Sequence, residues 1–230
     1  LRPEELRGEH RDETTEKEEI VDLVRAFMEE QRTELDNRPL LSQHYADRDS
    51  VSVLFPNVYV DPLVSTQRHP LGTLMPLSEW LGKHINEVQK VLIIGPAGTG
   101  KTTSLISIQH LCAEAFLGNT ACRIPVFIEA RRLKWKAVPD IEAIVNKAIS
   151  RCLEGVKSLA NKTVDSLRWL VLIDGIDEAF SGAYREMEKF DPRRVTLPFP
   201  HIVTCRDDFF HRNLNSAEFC SYYDEILFIE

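Results

Sequence analysis

The sequence has no long apolar stretch. Nothing in it approaches the ~18 consecutive hydrophobic residues of a membrane-crossing helix, so no membrane span is expected. Ten Gly and twelve Pro in 230 residues are too few for a low-complexity or collagen-like chain. The five cysteines, Cys112, Cys122, Cys152, Cys205 and Cys220, are odd in number, and no pair is spaced as CxxC. That argues against a disulfide framework and a zinc site, and a reducing, cytoplasmic setting is expected. His201 and His211, ten apart, read as structural or exposed. An excess of basic charge is also missing: 28 Lys and Arg stand against 36 Asp and Glu. Strong attachment to a nucleic-acid backbone needs clustered cations. The small group Arg131, Arg132, Lys134 and Lys136 reads as a solvated loop.

What is present suits a packed core, with 43% hydrophobic and 28% charged residues. The length suits one domain of about 150 residues plus an appendage. The net charge of −8 is concentrated at the front, where residues 1–36 carry 13 acidic and 6 basic side chains. The chain begins with Leu1 and ends just after the apolar run Ile226–Ile229, so a piece of a longer protein is expected.

Residues 1–14 are polar. Thr15 and Glu18 then fit a capping box, and Ile20, Leu23, Val24, Phe27, Met28, Gln31 and Leu35 follow at helical spacing. This amphipathic helix docks on its own domain, serves as a linker helix, or binds a partner. Residues 37–78 are punctuated by proline and read as irregular, with short strands at Val51–Leu54 and Asn57–Val60. Ser78 is placed to cap a helix through Trp80, Leu81 and Ile85.

From Lys90 onward, strand and helix patterns alternate. Strands are predicted at Val91–Ile94, Ile124–Ile128, Trp169–Ile173, Ile202–Cys205 and Ile226–Ile229. Helices are predicted at Lys101–Phe116, from Pro139 to Cys152, and at Glu178–Lys189. Short apolar strands separated by helices predict an α/β fold, with a parallel five-stranded sheet covered on both faces.

Between the first of these strands and its helix lies Gly95-Pro96-Ala97-Gly98-Thr99-Gly100-Lys101-Thr102, which fits G-x-x-x-x-G-K-[ST] completely. The glycines let successive backbone N–H groups face one anion, and the helix N-terminus adds positive potential there. Lys101 is placed to reach the β and γ phosphates, the Thr102 hydroxyl to ligate Mg²⁺, and Thr103 to approach the α phosphate. A second motif, Leu170-Val171-Leu172-Ile173-Asp174-Gly175-Ile176-Asp177-Glu178, sets a carboxylate at the end of an apolar strand. Asp174 is a candidate to orient Mg²⁺. Asp177 or Glu178 is a candidate base for an attacking water.

The pairing of GPAGTGKTT with LVLIDGIDEA resembles the NACHT group of STAND NTPases. In that group a small residue follows the Mg²⁺-linked Asp and two acids come shortly after, as do Gly175, Asp177 and Glu178 here. Typical AAA+ proteins carry Glu where Gly175 stands. Tyr59-Val60-Asp61-Pro62 and Pro76–Leu81 resemble segments preceding the family's first strand, and Arg123–Glu129 its second. His201–Arg206 resembles its T-S-R sensor, with Cys205 at the Ser position.

The resemblance covers about residues 58–230, leaving 1–57 as an acidic helical linker segment. It implies sheet order 5-1-4-3-2 and Arg206 as the reader of the γ phosphate, unless Arg206 instead pairs with Asp207 or Asp208. It further implies a slow ATP hydrolase that switches between ADP and ATP·Mg²⁺ states and self-associates through this domain. Effector and sensor domains of the parent chain, acting in innate immune or antiviral signalling, are part of the same expectation. The family's helical and winged-helix domains are not found by residue 230. The alternatives are a P-loop small-molecule kinase, with lid loops around 131–136 and 185–194, or an AAA+ remodelling ATPase. The DGIDE motif opposes the first and Gly175 the second.

Overall fold

A computed structural model describes residues 21–22, 24–30, 32–33, 60–66, 74–87, 89–118, 123–132, 147, 167–180, 199–214 and 217–229. The helix expected from Pro139 to Cys152 falls outside these, apart from residue 147. The short strands expected between 51 and 60 also fall outside, apart from Val60, which is in no strand.

The elements in chain order are α1 (helical residues within 21–33), β1 (Leu63–Thr66), β2 (Met75–Pro76), α2 (Leu77–His84), β3 (Lys90–Gly95), α3 (Lys101–Leu117) and β4 (Ile124–Glu129). Next come β5 (Trp169–Asp174), α4 (Ile176–Phe180), β6 (His201–Arg206) and α5 (Asp207–Phe209), which runs on into a π turn over Phe210–Leu214. Then follow α6 (Ala217–Cys220) and β7 (Glu225–Ile229). They build one sheet in the order β2-β1-β7-β3-β6-β5-β4. Counted from the phosphate-loop strand, the five parallel strands stand as 5-1-4-3-2. The expectation of five strands needs correction, since among the described residues the sheet has seven. β1 and β2 come from the proline-rich approach, and β1 runs antiparallel to β7. Proline spacing hid these strands: Pro62 precedes β1 and Pro76 lies within β2. Proline tolerates such edge positions. β4 forms the other border of the sheet and likewise accommodates Pro125.

The parallel strands are apolar along their whole length because both faces are covered. Alternation assigns Val91 and Ile93 to one face and Leu92 and Ile94 to the other. The first pair packs in a cluster with Leu77, Trp80 and Leu81 of α2 and Leu105, Ile108 and Cys112 of α3. The second pair packs with Ile176, Phe209, Phe210, Phe219 and Tyr223. Val24 and Met28 of α1 are fully buried in that same cluster. The Arg25 side chain also donates to the carbonyl of Leu117, the last residue of α3, at 3.5 Å. Burying two such side chains contributes roughly 1.5–3 kcal/mol each. Val24 and Met28 are therefore buried on the chain's own domain, with Phe27 packed beside them, which is the docked reading. Among the described residues no helix is long and apolar enough to cross a membrane.

The start of α2 corrects a detail. The helix opens at Leu77, so Ser78 lies inside it. The capping oxygens come from Asp61, which accepts from the Ser78 backbone N–H at 3.2 Å and from its hydroxyl at 2.6 Å. An acidic side chain at a helix N-terminus satisfies an orphan donor and complements the dipole. α4 likewise opens at Ile176, ahead of the expected Glu178, and positions 181–189 lie outside the described residues.

Candidate nucleotide-binding site

β3, β5 and β6 are parallel, so their C-terminal ends share one edge of the sheet. Gly95 stands opposite Arg206 in the β3–β6 register, and Asp174 closes β5. Ligand clefts of open α/β sheets form at this edge. Here a cleft of about 290 Å³ is lined from β3's loop by Ala97, Gly98, Gly100, Lys101, Thr102 and Thr103. Asp174, Gly175, Asp177, Glu178, Thr204 and Arg206 line the rest. Of the predicted site residues, Gly95, Pro96 and Thr99 are not part of this lining.

The loop is shaped by backbone that only glycine adopts easily. Gly98 has φ +82° and Gly100 has φ +85°, and Gly100 is the residue from which α3 starts. Lys101 folds its ammonium back onto the loop, donating to the carbonyls of Gly95 at 2.7 Å and Pro96 at 2.6 Å. Burial pushes the Lys101 ammonium below its ordinary value, while Asp177 opposes that shift and Arg206 adds to it. The ammonium nevertheless stays a donor at the mouth of a helix N-terminus, suited to an anion.

Asp174 is held between two hydroxyls. Its Oδ2 accepts from Thr102 Oγ1 at 2.8 Å, and its Oδ1 accepts from Thr204 Oγ1 at 2.9 Å. Thr204 Oγ1 in turn accepts from the Gly175 N–H at 2.8 Å. The sequence places Thr204 in the sensor-like segment His201–Arg206 but assigns it no role at the site, although a buried hydroxyl on an apolar strand needs a partner. Gly175 turns the chain with φ +67°, and a Cβ there would meet Glu178 Cγ and Cδ at 3.3 Å. A small residue at this position lets Glu178 lie close against the turn.

Thr102 and Asp174 offer two hard oxygen donors on the cleft, the chemistry that suits Mg²⁺. Among the described residues no group of three or more His, Cys, Asp and Glu converges on a metal position.

Among the described residues, Arg206 pairs with Asp177 and Glu178 rather than with Asp207 or Asp208. Its Nε lies 3.1 Å from Asp177 Oδ2, its backbone N–H donates to Asp177 Oδ1 at 3.1 Å, and an Nη donates to Glu178 Oε1 at 3.2 Å. Asp177 is only 6% exposed, and burial pushes its carboxyl up while the Arg206 contacts oppose that shift. Cys205, at the sensor's Ser position, is fully buried in the core, and burial together with the nearby carboxylates raises its thiol. It turns away from chemistry. His201 is buried and His211 exposed, as expected.

The NACHT domain family model matches residues 89–197, a span that begins just before β3 and includes both phosphate motifs. Residues 89–197 are a NACHT domain. The chain therefore carries a nucleotide-binding P-loop NTPase domain. Arg206 lies beyond the matched span of the NACHT domain, and its place beside Asp177 comes from the fold. No curated protein matches the chain. Solved structures similar to it include PCH-2 of C. elegans, with 14% identity over 94% of this chain and a TM-score of 0.32. Drosophila ORC bound to GC-rich DNA and Cdc6 is similar at 11% identity over 94% of this chain, with a TM-score of 0.35. The chain spans 42% and 59% of those two chains. At such scores neither likeness defines the fold, which rests on the strand order above.

Proposed function

We propose that this chain is the nucleotide switch of a signalling NTPase, binding ATP or ADP with Mg²⁺ and hydrolysing ATP slowly. The observation that carries the reading is the convergence of Lys101, Thr102 and Asp174 on one cleft, with Thr102 and Asp174 2.8 Å apart. The loop from Gly95 to Thr103 holds the phosphate chain by backbone N–H groups, and Lys101 exchanges its carbonyl partners for phosphate oxygens. Thr102 and Asp174 hold the metal, which neutralises phosphate charge when bound. In hydrolysis a water oxygen bonds to the γ phosphorus and the bond to the ADP oxygen breaks. A carboxylate of the Asp177–Glu178 pair takes the water's proton.

The nucleotide-binding unit extends over residues 58–230, and the acidic segment 1–57 leads into it. Differential contact with the γ phosphate by Arg206 gives two states. The ATP state favours self-association through this domain, with effector and sensor domains of the parent chain attached on either side. A cytoplasmic role in innate immune or antiviral defence is the setting that fits such a switch.

The test is a titration of ADP and a non-hydrolysable ATP analogue with and without Mg²⁺, on the wild type and on Asp174→Asn. The wild type is expected to bind both nucleotides, and Asp174→Asn to lose the Mg²⁺ enhancement while melting as the wild type does. A wild-type chain that binds neither nucleotide overturns the reading.

A further inference from the structure

We propose that Asp177 is a positioning residue that anchors Arg206, and that Glu178 is the guanidinium's releasable partner, let go by Arg206 to act as base when a terminal phosphate draws the guanidinium away. This rests on the nucleotide-switch reading and names how that site tells ATP from ADP.

The two carboxylates hold the same arginine in different ways. Asp177 is buried, and both of its oxygens are engaged, one by the backbone N–H of Arg206 and one by Nε. The backbone bond ties it to the end of β6 whatever the guanidinium does. A carboxylate so enclosed is badly placed to take a proton from water. Glu178 makes its contact with an Nη at 3.2 Å, with side chains 45% and 39% exposed for Arg206 and Glu178. An exposed contact of this kind is the weaker of the two. Glu178 also lies against Gly175 and lines the same cleft as Lys101's loop.

The guanidinium is a rigid fork of donors suited to phosphate. Held at Nε by Asp177, it can swing only its Nη edge. That edge serves either Glu178 or a γ-phosphate oxygen. With ADP, Glu178 stays capped by Arg206. With ATP, the phosphate takes the Nη edge and Glu178 becomes the proton acceptor for the attacking water. Sensing and activation are then one exchange of partners.

A double-mutant cycle tests this on the full chain: wild type, Asp177→Asn, Arg206→Gln and the pair, with Mg²⁺. The readouts are calorimetric affinities for ADP and AMPPNP and single-turnover ATP hydrolysis. Each single variant is expected to lower the AMPPNP-to-ADP affinity ratio by about tenfold, within the usual range of coupling between sites. The pair is expected to fall no further in ratio or hydrolysis, because Asp177 acts through Arg206. A further loss of hydrolysis on adding Asp177→Asn to Arg206→Gln shows that Asp177 acts on the water itself and overturns the proposal. Glu178→Gln is expected to raise the affinity ratio while slowing hydrolysis, and an unchanged ratio overturns the releasable contact. Should Asp177→Asn fail to fold, Arg206→Gln and Glu178→Gln read the same exchange from its exposed side. A wild type that binds neither nucleotide fails with the switch reading. A wild type that binds both, with an additive cycle, fails on this inference alone.

Discussion

The β3–β6 pair has two ends that the protein uses in opposite ways. In register, Lys90 faces His201 where the strands begin, and Gly95 faces Arg206 where they finish. At the starting end the polar groups are held by backbone and ring contacts, although the buried Nε2 of His201 has no hydrogen-bond partner among the described residues. Asp224 accepts from the backbone N–H groups of Gln89 and Lys90, both at 2.9 Å. Lys90 lies 4.1 Å above the Tyr222 ring, and His201 stacks on the same ring, buried, with Nδ1 against the Phe199 carbonyl. At the finishing end the chain turns through positive-φ glycines, and its charged groups border a cleft. Similar residue types thus serve cohesion at one end and ligand chemistry at the other. The difference is whether the flanking backbone closes over them.

The sharpest way to break the comparison is to remove the charge at the finishing end. Lys101→Ala is expected to weaken nucleotide binding by roughly three orders of magnitude, about 4 kcal/mol, as truncating one member of a charge pair does. A fluorescent-nucleotide titration checks this.

The starting end is expected to answer to pH instead. Burial depresses His201 from 6.5 to about 4. Above pH 6.5 both folded and unfolded chains hold it neutral. As pH falls from 6.5 towards 4, the unfolded chain takes a proton that the folded chain refuses, so stability is lost, by about 3 kcal/mol in all. Asp177 has the opposite sign: its raised carboxyl stabilises below its ordinary value and loses that contribution as pH rises through it. His201→Leu is expected to flatten the acid slope in urea unfolding series without changing nucleotide affinity. A change in affinity would show that the two ends are coupled.

A smaller effect is expected from Thr204→Val, which keeps the shape and removes the hydroxyl between Asp174 and the Gly175 N–H. It should cost about 1–3 kcal/mol of stability, the usual penalty for leaving buried polar groups unmatched. It should also reduce the Mg²⁺ dependence of binding, read by the same titration.

These contrasts explain what could be read from sequence. The strands β3 to β7 announced themselves as short apolar runs, and the phosphate loop as a spaced string whose glycines and lysine have fixed jobs. Both are local signals. β1 and β2 gave no such signal, because an edge of four and two residues has no periodicity to detect, and its pairing with β7 joins Thr66 to a residue far along the chain. The link from Asp61 to Ser78 and the bridge through Thr204 were hidden for the same reason, since each partner looks ordinary alone. Arg206 shows the limit best. Its neighbours Asp207 and Asp208 were the obvious acids in sequence, yet a strand end points its side chain across the sheet edge towards the loop after β5.

The short antiparallel strands have a further consequence for assembly. β1 covers the flank of β7 along Val64, Ser65 and Thr66, and β2 closes that flank with two residues, one a proline without an N–H. Among the described residues, this flank offers little ladder for another chain to extend. Any subunit that meets this flank must be recognised by the shape and chemistry of its side chains, so contacts there can be tuned or dissolved one residue at a time.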